Sequence, residues 1–223
     1  MNFLSHYYFN RYSRDPELVA GCVLPDLLRN ADKSARIRPE QHELSFLHHP
    51  RLQQLYAGWQ QHIETDRRFH DLPFFYEYTH RLRLVLGPIL EGTPIRASFL
   101  SHIALELLLD HRLLVDQVLD EEHFYQCLEA ADRPTVDRFL HLCGLSETLF
   151  FFEFFDAFNR ARYVGRYRDV EQVGHALLNI CRRLWDFQLP EAHRLRMVEA
   201  LETQAHGLAG EYMKVFDEIE NFV

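Results

Sequence analysis

The chain has few residues that interrupt helices and no pattern that builds strands. Its 223 residues include only 9 Gly and 9 Pro, and no stretch of alternating β-branched residues reads as a strand. Paired cysteines are also missing. Cys22, Cys127, Cys143 and Cys181 show no C-x-x-C spacing, which excludes a zinc ribbon or a thioredoxin-like motif. The start, MNFLSHYYFNRYSRDPE, has no basic region leading into an apolar stretch, so the expectation is no secretory signal and reduced thiols in a cytoplasm. The most apolar run, Leu149–Phe158, is interrupted by Glu153 and Asp156 and falls far short of the roughly 20 residues that cross a bilayer. A basic excess is absent too: 24 Lys+Arg against 33 Asp+Glu give a net charge of −9. Phosphate backbones need the opposite balance, so neither nucleic acid nor membrane is expected as a partner.

What the chain does have is 47% hydrophobic residues, 13% aromatics and 14 histidines. That composition excludes disorder and supplies many groups able to bind metals or move protons near neutral pH. The length fits one sizeable domain at roughly 100–200 residues per domain. Asp15-Pro16, Pro50 and Leu72-Pro73 open successive helical segments, and Gly87-Pro88 and Gly92-Thr93-Pro94 punctuate the turn after the third. A long helix is expected from about Ile95 to Val118. Further helices are expected over 121–131, 135–142, 147–163, 170–187 and 191–220, with Asn30–Gln41 the best candidate for a loop. The expectation is a single all-α domain, a helical bundle spanning residues 1–223.

Two rows of polar residues carry the chemistry. His62 and Asp66 stand four apart on a helical pattern, which places both on one face, and His70 continues the row one turn further on. His102, Glu106 and Asp110 repeat the spacing, with His111 beside Asp110, in the apolar setting SHIALELLLDHRLL. A carboxylate in such surroundings either meets solvent or is buried with partners. Asp26 sits in the apolar run VAGCVLPDLL, and His6 lies among aromatic and aliphatic residues. Mixed histidine and carboxylate ligands on facing helices suit manganese, iron, magnesium or zinc, with positions left for water and substrate. The alternative for each residue is an ordinary helix surface; Asp66 stands beside Arg67 and Arg68, for example.

Several blocks resemble one family in its own order. MNFLSH looks like the MNFLAH opening of acyl carrier protein phosphodiesterases, and AGCVLPDLLRN is similar to their GNLLADFVRG block, matching Asp26. GWQQHIETDRRFHDLP resembles their G-x-x-x-H-R-R-I-D-x-x-T-D-x-x-P motif at Gly58, His62, Asp66 and Pro73. ELLLDHRL is similar to their D-x-x-x-D-H-F-L, matching Asp110 and His111 with Glu106 in place of the first Asp. RYRD matches a later block at Tyr167, Arg168 and Asp169. The resemblance implies an all-α fold distantly akin to HD-type phosphohydrolases. It also implies a divalent metal, typically manganese, and release of 4′-phosphopantetheine from holo acyl carrier protein. Carried over residue by residue, Asp26, His62, Asp66 and Asp110 become metal ligands, His6 a ligand or acid, and His111 an acid–base group; at the positions that depart from the family, Glu106 is expected to join the ligands and His70 the acid–base groups.

The sequence also departs from the family. Ile63-Glu64-Thr65 stands where the family has Arg-Arg-Ile, and His70 where it has an acidic residue. Two charges that would grip phosphate are thereby lost. Arg160, Arg162, Arg166 and Arg168 form a dense basic cluster in an acidic chain, and Arg160, Arg166 and Arg168 are the candidates to hold a phosphate or an acidic carrier protein. The FFFEFF run reads as core or as a homodimer interface. Two other readings stand beside the carrier protein hydrolase. One is a hydrolase of a small phosphoester or nucleotide. The other is a non-catalytic helical protein that kept the scaffold for binding or dimerisation.

Overall fold

A computed structural model of the chain describes residues 1–221. Helices and short 3-10 turns make up 74% of the chain, and no strand occurs among the described residues. The fold is all-α, as the helical periodicity required. In chain order the helices are α1 (Phe3–Tyr8), α2 (Pro16–Ala31), α3 (Pro50–Asp71), α4 (Pro73–Leu86), α5 (Ala97–Val115) and α6 (Glu121–Ala130). They continue with α7 (Arg133–Leu142), α8 (Leu149–Ala161), α9 (Val170–Arg182), α10 (Glu191–Leu208) and α11 (Met213–Glu220). No helix among the described residues is long and apolar enough to cross a membrane.

Aspartates start many of these helices. The side chains of Asp15, Asp120, Asp132 and Asp169 each accept a hydrogen bond from a first-turn N–H of α2, α6, α7 and α9, satisfying donors that have no intrahelical partner. Two elements differ from expectation. The short helix α1 was not anticipated, and the single helix expected over 191–220 is two. Gly207 lies in the last turn of α10 and Gly210 in the break before α11, and each glycine weakens a helix by about 1 kcal/mol relative to alanine.

The chain divides into two compact units. One comprises Met1–Ser5, Arg67–Val118 and the described chain from Gly165 onward; the other comprises His6–Asp66 and Leu119–Val164. In the first, α5 packs against α4, α9 and α10. Its residues Leu100, Leu105, Leu108, Leu109 and Leu113 are fully buried, so α5 is apolar almost all round and its polar residues must find partners. Asp110 is the clearest case. It is fully buried and accepts from Ser5 N at 2.8 Å, Ser5 Oγ at 2.7 Å, Asn2 Nδ2 at 2.7 Å and Leu4 N at 3.2 Å. Those backbone donors belong to the first turn of α1, so Asp110 ties the start of the chain to α5.

In the second unit, α2 packs against α6 and α8. The FFFEFF run lies on α8, where Phe151, Phe152, Phe155 and Phe158 are buried as core. Helices α2 and α3 come into backbone contact through two glycines. A Cβ on Gly21 would overlap the Leu55 carbonyl oxygen, and one on Gly58 would overlap the Leu18 carbonyl and stand 2.6 Å from Cys22 N. No side chain fits there. Gly58→Ala is therefore expected to lower unfolding free energy by about 1–3 kcal/mol or more, through overpacking against rigid backbone. Gly210→Ala, with nothing within 4 Å, is the control and is expected to be neutral or slightly stabilising. Chemical denaturation of the two variants checks this; equal effects would contradict the close crossing.

Candidate metal centres

Two clusters among the described residues each bring three potential ligand atoms within 4.8 Å of one another: His6, His62 and Asp66 in the second unit, and His70, His102 and Glu106 in the first. The first grows out of the glycine crossing. Because α3 lies against α2, His62 Nδ1 reaches the Cys22 carbonyl at 2.8 Å. That acceptor fixes the proton on Nδ1 and leaves Nε2 with its lone pair, the tautomer a metal ligand requires. The His6 ring stacks on His62 with centroids 3.7 Å apart and planes 17° from parallel. The pair faces one carboxylate, with His6 Nε2 3.3 Å from Asp66 Oδ1 and His62 Nε2 3.8 Å from Oδ2.

The electrostatics suit a cation. The two imidazole side chains are only 1% and 3% exposed. Burial, reinforced by the neighbouring His6, pushes His62 well below the ordinary histidine value of 6.5, so it is neutral near pH 7. Partial burial alone would raise the Asp66 carboxyl. Hydrogen bonding with His6, together with nearby positive charge, overcomes that and holds it well below the usual carboxylate range. A neutral imidazole ligand and an ionised carboxylate at such distances fit a divalent cation.

The second cluster is more open. His70 Nε2 lies 3.0 Å from His102 Nε2, which is 2.9 Å from Glu106 Oε1, with 3.9 Å closing the triangle. The Met1 amino group is 3.2 Å from the same oxygen. The two imidazoles are 35% and 37% exposed. Phe75, in the first turn of α4, meets both rings edge-on at 4.8 and 5.0 Å.

Other candidates lie elsewhere. Asp26 joins neither cluster; it is half-buried on α2, and its carbonyl accepts from Asn30 Nδ2 at 2.9 Å. Asp110 is occupied by its four donors, and burial pushes it up to about 6 despite them. His111 Nδ1 donates to the Tyr167 carbonyl at 2.7 Å, and burial lowers its pKa. Arg160 and Arg166 are exposed. Arg162 pairs with Glu122 and Glu129, while Arg168 Nη1 donates to the Leu114 carbonyl at 2.7 Å, near the end of α5. Sequence reasoning placed His102 in a row with Glu106 but left it out of the ligand set, although its i,i+4 spacing was the available signal. The Cys22 carbonyl leaves no trace in a sequence.

No protein-family model, no curated protein and no solved structure matches this chain.

The depressed pKa of His62 has a defined sign. Below pH 6.5 the unfolded chain takes up a proton that folded His62 refuses until a lower pH. The stability it contributes is thus complete above pH 6.5 and is lost as pH falls through the folded value. In the metal-free protein, the His62 ¹⁵N resonances are expected to report a neutral Nδ1–H ring at pH 6.5. Half-protonation at that pH would contradict the assignment.

Proposed function

We propose that the chain is a divalent-cation-dependent phosphoester hydrolase of the type that acyl carrier protein phosphodiesterases represent. One observation carries the reading: two buried imidazoles face one ionised carboxylate, and His6, His62 and Asp66 all lie in the blocks that resemble that family. His62 would hold the cation through Nε2, with its ring oriented by the Cys22 carbonyl. Asp66 would supply the negative charge, and His6 a second nitrogen or a proton for the departing oxygen. When bound, a divalent cation offsets phosphoryl charge and makes water a stronger nucleophile. Manganese is the ion the resemblance favours. Iron and zinc suit two nitrogens and a carboxylate equally well, and magnesium suits them less.

Release of 4′-phosphopantetheine from a carrier protein is the finer form of the proposal. A small phosphoester is the second reading, and the arginines favour it. Arg162 is engaged by two glutamates and Arg168 by a backbone carbonyl, which leaves Arg160 and Arg166 to attract an acidic protein against a net charge of −9.

The test is turnover of holo carrier protein and of bis(p-nitrophenyl) phosphate by manganese-loaded protein, wild type against Asp66→Asn. Wild type is expected to hydrolyse at least one. Loss of the carboxylate should lower kcat/KM by more than the roughly 10–100-fold typical of disturbing an outer ligand partner. Bound metal with no turnover of either substrate would leave the scaffold a binding protein. Full activity in Asp66→Asn would overturn the site.

A further inference from the structure

We infer that His70, His102 and Glu106 form a second metal site, selective for zinc-class 3d divalent cations rather than magnesium or calcium. The inference uses none of the residues on which the proposed hydrolase centre rests and does not depend on that reading.

A neutral imidazole nitrogen carries either one proton or one lone pair, directed along a single line in the ring plane. His102 Nε2 nevertheless has two close polar neighbours, His70 Nε2 at 3.0 Å and Glu106 Oε1 at 2.9 Å. If His102 Nε2 donates to Glu106, it presents no lone pair to His70. If it accepts from His70, its lone pair faces a carboxylate oxygen. A cation among the three atoms resolves the conflict, because it lets both nitrogens and the oxygen point inward as acceptors. The separations agree: with metal–nitrogen bonds of about 2.0–2.1 Å, two ligands on one ion stand about 3.0–3.4 Å apart. The 3.9 Å between His70 and Glu106 lies within what rotation of a carboxylate corrects.

Local structure pre-orients the donors. His102 and Glu106 are one turn apart on α5, which is held by the packing of its leucines. Phe75 packs edge-on against both rings and limits their rotation. Two imidazoles and one carboxylate favour zinc, cobalt, nickel or copper, whereas magnesium and calcium prefer oxygen ligands. Three protein ligands leave a position for an exchangeable group. Solvent has access to it, since both rings are about one-third exposed. His102 also borders an open groove of about 470 Å³ that includes Thr79, His80, Arg83 and Ser98.

The experiment uses the full chain, stripped of metal and titrated with Zn²⁺ alone. The imidazole resonances of His70 and His102 are expected to move together to a metal-bound position. His102→Ala and Glu106→Gln are each expected to retain one ion fewer than wild type after dialysis, with affinity at this site down about 100-fold or more. In the Co²⁺-loaded protein, d–d absorption from this site should survive Asp66→Asn and disappear in His102→Ala. Wild-type His70 and His102 resonances that ignore Zn²⁺ overturn the inference whatever the variants do. So does unchanged zinc content in variants that melt like wild type. A loss of metal confined to Asp66→Asn also overturns it while leaving the proposed hydrolase centre intact.

Discussion

The hydrogen bond from His62 to the Cys22 carbonyl is the constraint on which the proposed hydrolase centre depends. It exists because two glycines, Gly21 and Gly58, let α2 and α3 meet backbone to backbone. A side chain at either position would push the helices apart, and the imidazole would no longer reach the carbonyl. With the bond in place, Nδ1 holds the proton and Nε2 turns its lone pair towards Asp66. His6 then stacks on the fixed ring, and burial keeps His62 neutral. Pro25, inside α2, has no N–H to bond the Gly21 carbonyl, so the backbone at this crossing already departs from a regular ladder next to the carbonyl His62 uses.

The other unit handles polar groups differently. Helix α5 is apolar on nearly every side, yet it carries His102, Glu106, Asp110 and His111. Asp110 is satisfied wholly by donors from Asn2, Leu4 and Ser5, which makes it a structural anchor, and His111 is held by the Tyr167 carbonyl. Glu106 and His102 instead meet His70 where solvent has access. One row of residues at helical spacing therefore divides into a fully buried anchor and a partly exposed candidate ligand set. Burial and the supply of donors make the division, not residue type.

This division explains how much the sequence revealed. The all-α architecture was legible in the helical periodicity and in the placement of proline and aspartate at helix starts. So were the pairs within one helix, His62 with Asp66 and His102 with Glu106, because four-residue spacing is a property of the helix alone. Contacts between distant segments were not legible. Nothing local says that His6 stacks on His62 or that His70 faces His102, and nothing local says that Asp110 receives the first turn of α1. Asp26 shows the same limit in reverse: a carboxylate in an apolar run looked recruited, and the fold leaves it outside both clusters. The cluster of arginines likewise gave no hint that Arg162 and Arg168 have partners within the protein. The resemblance to carrier protein phosphodiesterases named residues on α2, α3 and α5, but local patterns contain no information on which carboxylates converge.

The central claim is that His6, His62 and Asp66 hold a divalent cation. An anomalous difference map from crystals grown with Mn²⁺ tests it most directly. The account predicts a strong peak bonded to Nε2 of His62 and a carboxylate oxygen of Asp66, with the His62 Nδ1 bond to the Cys22 carbonyl intact. A map with no peak there, and Asp66 hydrogen-bonded only to the two imidazoles, would contradict it.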